Sequence, residues 1–232
     1  GKVRFKNAIA DRMVIDPATL GYDPAVIEAL VDDRYQVCRA LSVSLSGIGP
    51  AVFYDVIAAL GHEHPNVRQF AAGLLYGLAQ RGGVVIEDAV PALAEALQDA
   101  DCRVQQKAAV TLSFIGPAAE AAVFQLTEAL SDRDDFVREW AAHALTSIGS
   151  AAESAVPALV ERLDDQEPAV RQAASDALAA ELASNDNATT DDWHLLARYF
   201  AAERRWASAN EAVDNAIAKD PKSIPALTTA AR

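Results

Sequence analysis

The sequence predicts an all-α fold, a right-handed α-solenoid (alpha-alpha superhelix) of stacked helical hairpins. Three observations carry this. One phrase recurs, as "DADCRVQQKAAVTL" from Asp99, "DRDDFVREWAAHAL" from Asp132 and "DQEPAVRQAASDAL" from Asp165. The copies return at a nearly constant interval. The 232-residue chain is 51% hydrophobic, much of it alanine, while aromatics make up only 6%. Such a composition suits closely packed helices better than a sheet.

The repeat unit follows from the spacing. The last leucine of each apolar stretch before the phrase is Leu30, Leu60, Leu97, Leu130 or Leu163. Seven residues later stands a valine, at Val37, Val67, Val104, Val137 and Val170, giving periods of 30, 37, 33 and 33 residues. The long interval accommodates an enlarged loop, "QRGGVVIED", at Gln80 to Asp88. Eight residues past each valine is a leucine (Leu45, Leu75, Leu112, Leu145, Leu178), and eleven past stand Ile48, Leu78, Ile115 and Ile148. With the small residue four past the valine (Ala71, Ala108, Ala141, Ala174; Leu41 in the first unit), these positions share one helical face. Gly49, Gly116 and Gly149 close three of the units, where a glycine stops a helix cheaply.

Upstream of each leucine runs a second amphipathic stretch, such as "AVPALAEAL" or "AVPALVERL", with Pro91 and Pro157 in the first turn, where a missing N–H costs nothing. Each unit is therefore helix, tight polar turn, helix, link. A single hairpin cannot bury its apolar stripe alone, so units of this period stack into a solenoid. The turn aspartates Asp99, Asp132 and Asp165 are expected to pair with turn amides and with Arg138 and Arg171, as a structural ladder.

The phrase D-x-x-x-x-V-R-x-x-A-A-x-A-L-x-x-I-G, present almost whole at Asp132 to Gly149, resembles HEAT repeats. The short type found in bilin lyases of light-harvesting complexes and in deoxyhypusine hydroxylase is the most similar. The resemblance covers residues 24–184 as five units, with 1–23 an N-terminal helical cap or processed leader. The polar cluster at 185–192 reads as a linker. Residues 193–232 resemble a single tetratricopeptide (TPR) unit: counting from Thr190, Trp193, Leu196, Phe200, Ala209, Ala216 and Pro221 fall in that repeat's places, with Ala197 where its glycine usually stands.

Charge and motifs exclude several classes. A net charge of −13 and a pI near 4.6 repel a phosphate backbone, so no nucleic-acid partner is expected. No apolar run approaches the ~20 residues that span a bilayer, so no membrane partner is expected either. The opening "GKVRFKNAIADRM" has no apolar core or cleavage site of a secretory signal. A first residue of Gly fits processing; the cytoplasm is the expected compartment, or the periplasm if a leader was removed. Cys38 and Cys102 lie two repeats apart, too far for a disulfide. His62-Glu63-His64 echoes the His-Glu pairs of iron-binding relatives, but it is one pair in a turn where other units carry Asp. With no G-x-S-x-G, P-loop, H-E-x-x-H or C-x-x-C, the expectation is no catalytic residue, no metal, no cofactor and no enzyme.

What remains is surface. Three, six and ten residues past the valine, the second helices carry their most variable positions, on a face adjacent to the buried one. The expected site is a concave groove with Phe70, Phe114 and Trp140 as apolar anchors and Lys107, Glu139, His143 and Asp176 around them. Its expected work is to hold another protein, as a scaffold or adaptor; the sequence leaves the oligomeric state open. The resemblance implies two alternatives, a bilin lyase-like pigment-handling factor and a deoxyhypusine hydroxylase-like iron protein.

Overall fold

A computed structural model describes residues 50–81, 86–185 and 189–220. The first expected repeat, the stretch 1–23 before it, Cys38 and the residues from Pro221 onward lie outside them. The described residues are helical and contain no strand. Ten α-helices follow in order: α1 Pro50–Ala59, α2 Pro65–Arg81, α3 Val90–Ala96, α4 Cys102–Ile115, α5 Val123–Ala129, α6 Asp135–Ile148, α7 Val156–Arg162, α8 Pro168–Ser184, α9 Thr190–Ala202 and α10 Trp206–Lys219. Short 3₁₀ links, Ile86–Ala89, Gly116–Ala122 and Gly149–Ala155, precede α3, α5 and α7. The chain forms two compact units divided between Phe114 and Ile115.

The recurrent valine, alanine and leucine are the core. Val67, Val104, Val137 and Val170 are fully buried, with Ala71, Ala108, Ala141 and Ala174 and with Leu75, Leu112, Leu145 and Leu178. Each buried leucine contributes about 2 kcal/mol by leaving water, while the alanines keep the helix axes close. The glycines act as expected: Gly116 and Gly149 adopt φ of +68° and +77°, left-handed conformations that end α4 and α6. Pro91 and Pro157 stand in the first turns of α3 and α7. The fifth unit breaks the pattern at one point. Glu181 sits where Ile115 and Ile148 stand in earlier units, and it is buried all the same.

α9 begins at Thr190, three residues before the boundary expected at Trp193, because Thr189 caps it. The Asp192 amide donates to Thr189 Oγ1 and the Thr189 amide donates to Asp192 Oδ2 at 2.8 Å, a reciprocal capping box. α9 and α10 pack on each other and bury Trp193, Leu196, Phe200, Ala209 and Ala216.

The expectation about apolar runs needs one correction. Helical structure continues from Cys102 through Ala129, and an 18-residue window of it has a mean hydropathy of 1.4, enough to cross a membrane by length and composition alone. The sequence reading looked for unbroken apolar residues and overlooked how few charges this stretch holds. In the structure 44% of that window is buried inside the protein.

Candidate partner-binding surfaces and the turns that hold them

The turns fix the helices that carry the candidate residues. Asp99, Asp132 and Asp165 each accept, through Oδ1, the amide two residues on, at 2.8 to 3.0 Å. His62 occupies the same place in its own unit, and its Nδ1 accepts the His64 amide at 3.0 Å. The His-Glu-His stretch is thus a turn in which an imidazole stands in for a carboxylate; Nδ1 of His64 likewise accepts the Asn66 amide. Among the described residues no group of three or more His, Cys, Asp or Glu is placed to hold a metal. Cys102, at the start of α4, is an exposed free thiol.

The arginine after each valine clamps two turns. Nη1 of Arg68, Arg138 and Arg171 donates to two carbonyls of its own turn (His62 and Glu63; Asp132 and Arg133; Asp165 and Gln166). The rest of each guanidinium reaches the following turn: Arg68 to Asp99, Arg138 to Asp165 and Arg171 to Glu203. The expected ladder therefore exists, but its rungs run to the next unit's acid. Arg68 belongs to it, and Glu203 supplies the acid in the α9–α10 turn. In the third unit Gln105 replaces arginine and donates to the Leu97 carbonyl.

These pairs are charge-assisted and partly dry. Hydrogen bonding to Asp165 holds the Arg138 guanidinium above its ordinary range. Burial pushes the Asp165 carboxyl up, but the Arg138 side chain and the Glu167 amide outweigh it and leave it below the ordinary aspartate range. Arg68 is raised in the same way by Asp99.

The candidate residues divide between the two units. In the first, the Tyr76 ring of α2 meets Phe114 of α4 edge-on at 5.7 Å, and Lys107 Nζ stands 4.8 Å over the same ring. Tyr76 thus brings together two of the three expected residues here. Phe70 is half-buried on α2 and joins no ring pair among the described residues. Phe114 is 48% exposed.

In the second unit one face of α6 carries an aromatic row. The Trp140 ring lies 5.8 Å from Phe136 and 5.2 Å from His143, and His143 Nε2 is 3.8 Å from Glu139 Oε1. Phe136 is 40% exposed, and Asp135 beside it is exposed as well. Asp176 does not join this row. Arg205 reaches it from the start of α10, Nη2 donating to Oδ1 at 2.7 Å, while Nη1 donates to Ser175 Oγ and the guanidinium stacks 4.6 Å over Phe200.

Tyr76 and Phe136 were missed by the reading at offsets three, six and ten. They lie nine past and one before their valines, on the same face one turn away. A search for aromatics along the whole face, rather than at its most variable offsets, finds both.

Comparisons with known proteins bear on the fold. An engineered protein of known crystal structure is similar at 22% identity, covering 85% of this chain and 99% of its own, with a TM-score of 0.64. The archaeal HEAT-like repeats protein from Thermococcus onnurineus NA1 is similar at 12% identity, covering 86% and 100%, with a TM-score of 0.54. A designed armadillo repeat protein, solved in complex with the peptide (KR)4, is similar at 20% identity, covering 82% and 98%, with a TM-score of 0.58. No curated protein matches the chain. The family model for HEAT repeats matches residues 53–146 and 90–179, together more than half of the chain. That match falls on the units whose valines, turn acids and arginines were traced above, and the chain belongs to the HEAT-repeat family.

Proposed function

We propose that this protein is a non-catalytic scaffold that holds another protein against the second-helix faces of its repeats. The observation that carries this reading is the exposure of rings on those faces: Phe114 in the first unit, Phe136 beside Trp140 in the second. Exposed rings cost solvation and add nothing to a core packed without them, whereas protein interfaces use aromatic anchors framed by polar groups. The fold supports the same reading, since solenoids offer long surfaces whose residues vary without loss of the core. One protein of similar fold was solved with a peptide. We read the α9–α10 hairpin as TPR-like.

The test is affinity capture from a lysate of the source organism, wild type beside a Phe114→Ser/Trp140→Ala variant, followed by direct binding of the purified partner. The expected result is a protein recovered by the wild type and lost with the variant, whose melting temperature stays near that of the wild type. A large drop in melting temperature makes the rings part of the core and overturns the surface reading. A coloured eluate favours the pigment-handling alternative, whose support is the lyase-like turn phrase at Asp132 to Gly149.

A further inference from the structure

The two units treat their aromatic faces differently, and the difference has a chemical reading. In the first unit the Tyr76 ring already carries a cation, Lys107, from the neighbouring helix. In the second, Arg205 is held between the Phe200 ring and the Asp176 carboxylate. The chain thus builds the same arrangement twice, a basic side chain over a ring, once completed by an acid. Trp140 offers the ring best suited to it. The carboxylate of Glu139 lies on the adjoining helical position, with Asp135 one turn earlier. Yet among the described residues no Lys or Arg stands over Trp140.

The nearest basic side chain in the sequence is otherwise engaged. Arg138 directs its guanidinium into Asp165 and into the carbonyls of its own turn. Arg133, exposed in the turn before α6, is the other cation of this stretch. Around the face the chain as a whole carries 33 acidic and 20 basic residues. An approaching basic segment is therefore drawn in over distance and finds a ring and two carboxylates at contact.

We infer that the α6 face of Phe136, Trp140, Glu139 and Asp135 takes a Lys- or Arg-bearing segment of the partner protein, with one basic side chain stacked on Trp140 and paired with Glu139. This rests on the scaffold reading and names the chemistry of its partner. His143 adjoins both on the same face, 3.8 Å from Glu139 and with its ring 5.2 Å from Trp140.

The probe is a fluorescein-labelled octapeptide alternating arginine and serine, titrated against the whole chain by anisotropy; a glutamate–serine octapeptide is the control. Binding of the basic peptide alone is expected, weaker at ~300 than at ~50 mM salt. Trp140→Leu keeps apolar volume without the ring face and is expected to weaken binding about fivefold. Glu139→Gln is expected to weaken it about threefold. Trp140→Phe should retain most of it, and Glu211→Gln, an exposed acid on α10, should change nothing. Equal losses with Glu211→Gln and Glu139→Gln would make the attraction one of net charge and overturn the site. If the wild type binds neither peptide, yet a captured partner is lost on substituting Trp140, the scaffold stands and the basic-partner chemistry falls. If the peptide binds as described and capture yields nothing, the chemistry stands without the lysate partner.

Discussion

Two carboxylates in the second unit are shifted in opposite directions, and acid titration separates them. Asp165 and Arg138 are 5% and 12% exposed at the side chain and meet through two hydrogen bonds of 2.9 Å. Removing Arg138 takes both guanidinium hydrogen bonds from a nearly buried Asp165, which keeps the Glu167 amide, so Arg138→Ala should cost about 2 kcal/mol, below the value for a fully unpaired buried charge. The equivalent Arg171–Glu203 pair, 22% and 36% exposed, should lose less. Because Asp165 is depressed in the fold, its stabilisation is present above the unfolded aspartate value and disappears as pH falls through the folded one. Glu181 behaves the other way. Burial first, and the Glu153 charge second, raise its carboxyl above the ordinary range near 4.5. Its contribution is therefore complete below that value and fades as pH rises through the folded one. Denaturant unfolding of Glu181→Gln at about pH 7.5 should show a gain over the wild type that vanishes near about pH 4. Asp165→Asn should show a loss at about pH 7.5 that shrinks in acid. An Asp165→Asn loss that is independent of pH would detach the ladder from the charge of its acids.

Helices here are delimited by backbone conformation as much as by side chains, and the glycines sort into two kinds. Gly116 and Gly149 need a left-handed φ; a Cβ at Gly149 meets nothing within 4 Å, and one at Gly116 makes only ordinary contact with the Ser147 carbonyl at 3.6 Å. Alanine at either should therefore cost about 1–3 kcal/mol from conformation alone, the more at Gly149, whose ψ of −144° lies outside the left-handed helical region. Gly73 and Gly77 lie inside α2, where an added Cβ also meets nothing within 4 Å. Alanine there should stabilise by about 0.5–1 kcal/mol, since it removes the entropy of a helical glycine. Thermal unfolding of the four single variants checks both signs together. This sorting was half legible in sequence. Gly116 and Gly149 follow the last apolar residue of a helix, whereas Gly73 and Gly77, six and ten past Val67, carry no such mark of their place inside α2.

At the scale of the molecule, the fold could be read from the chain because its core is one short set of residues written several times. A valine, an alanine and a leucine at fixed offsets specify the buried stripe without reference to any distant partner. The candidate face could not be read so directly. Asp176 stands at one of the expected offsets, but its charge is met by Arg205, 29 residues on, and no offset within a unit reveals that. The same holds for the rungs of the ladder, which join each arginine to an acid 27 to 32 residues ahead. What the sequence carries locally it shows openly; what depends on stacking appears only when the units are stacked.

That arrangement of arginines has a consequence for how such a chain changes length. Each arginine asks only for a carboxylate at the next turn; Glu203, from the α9–α10 turn, fills the place with one hydrogen bond where Asp99 and Asp165 accept two. Whole units are therefore interchangeable currency for duplication or loss, while fragments of a unit are not. Excising residues 138–170, one period of 33, places Arg171 directly after Val137 with its acid still ahead. Circular dichroism and denaturant unfolding of that deletion should show a shorter, cooperatively folded helical protein, and a deletion of half that length should not fold. Growth by copying and shrinkage by excision are then neutral steps for the framework, leaving the rings on its surface free to diverge.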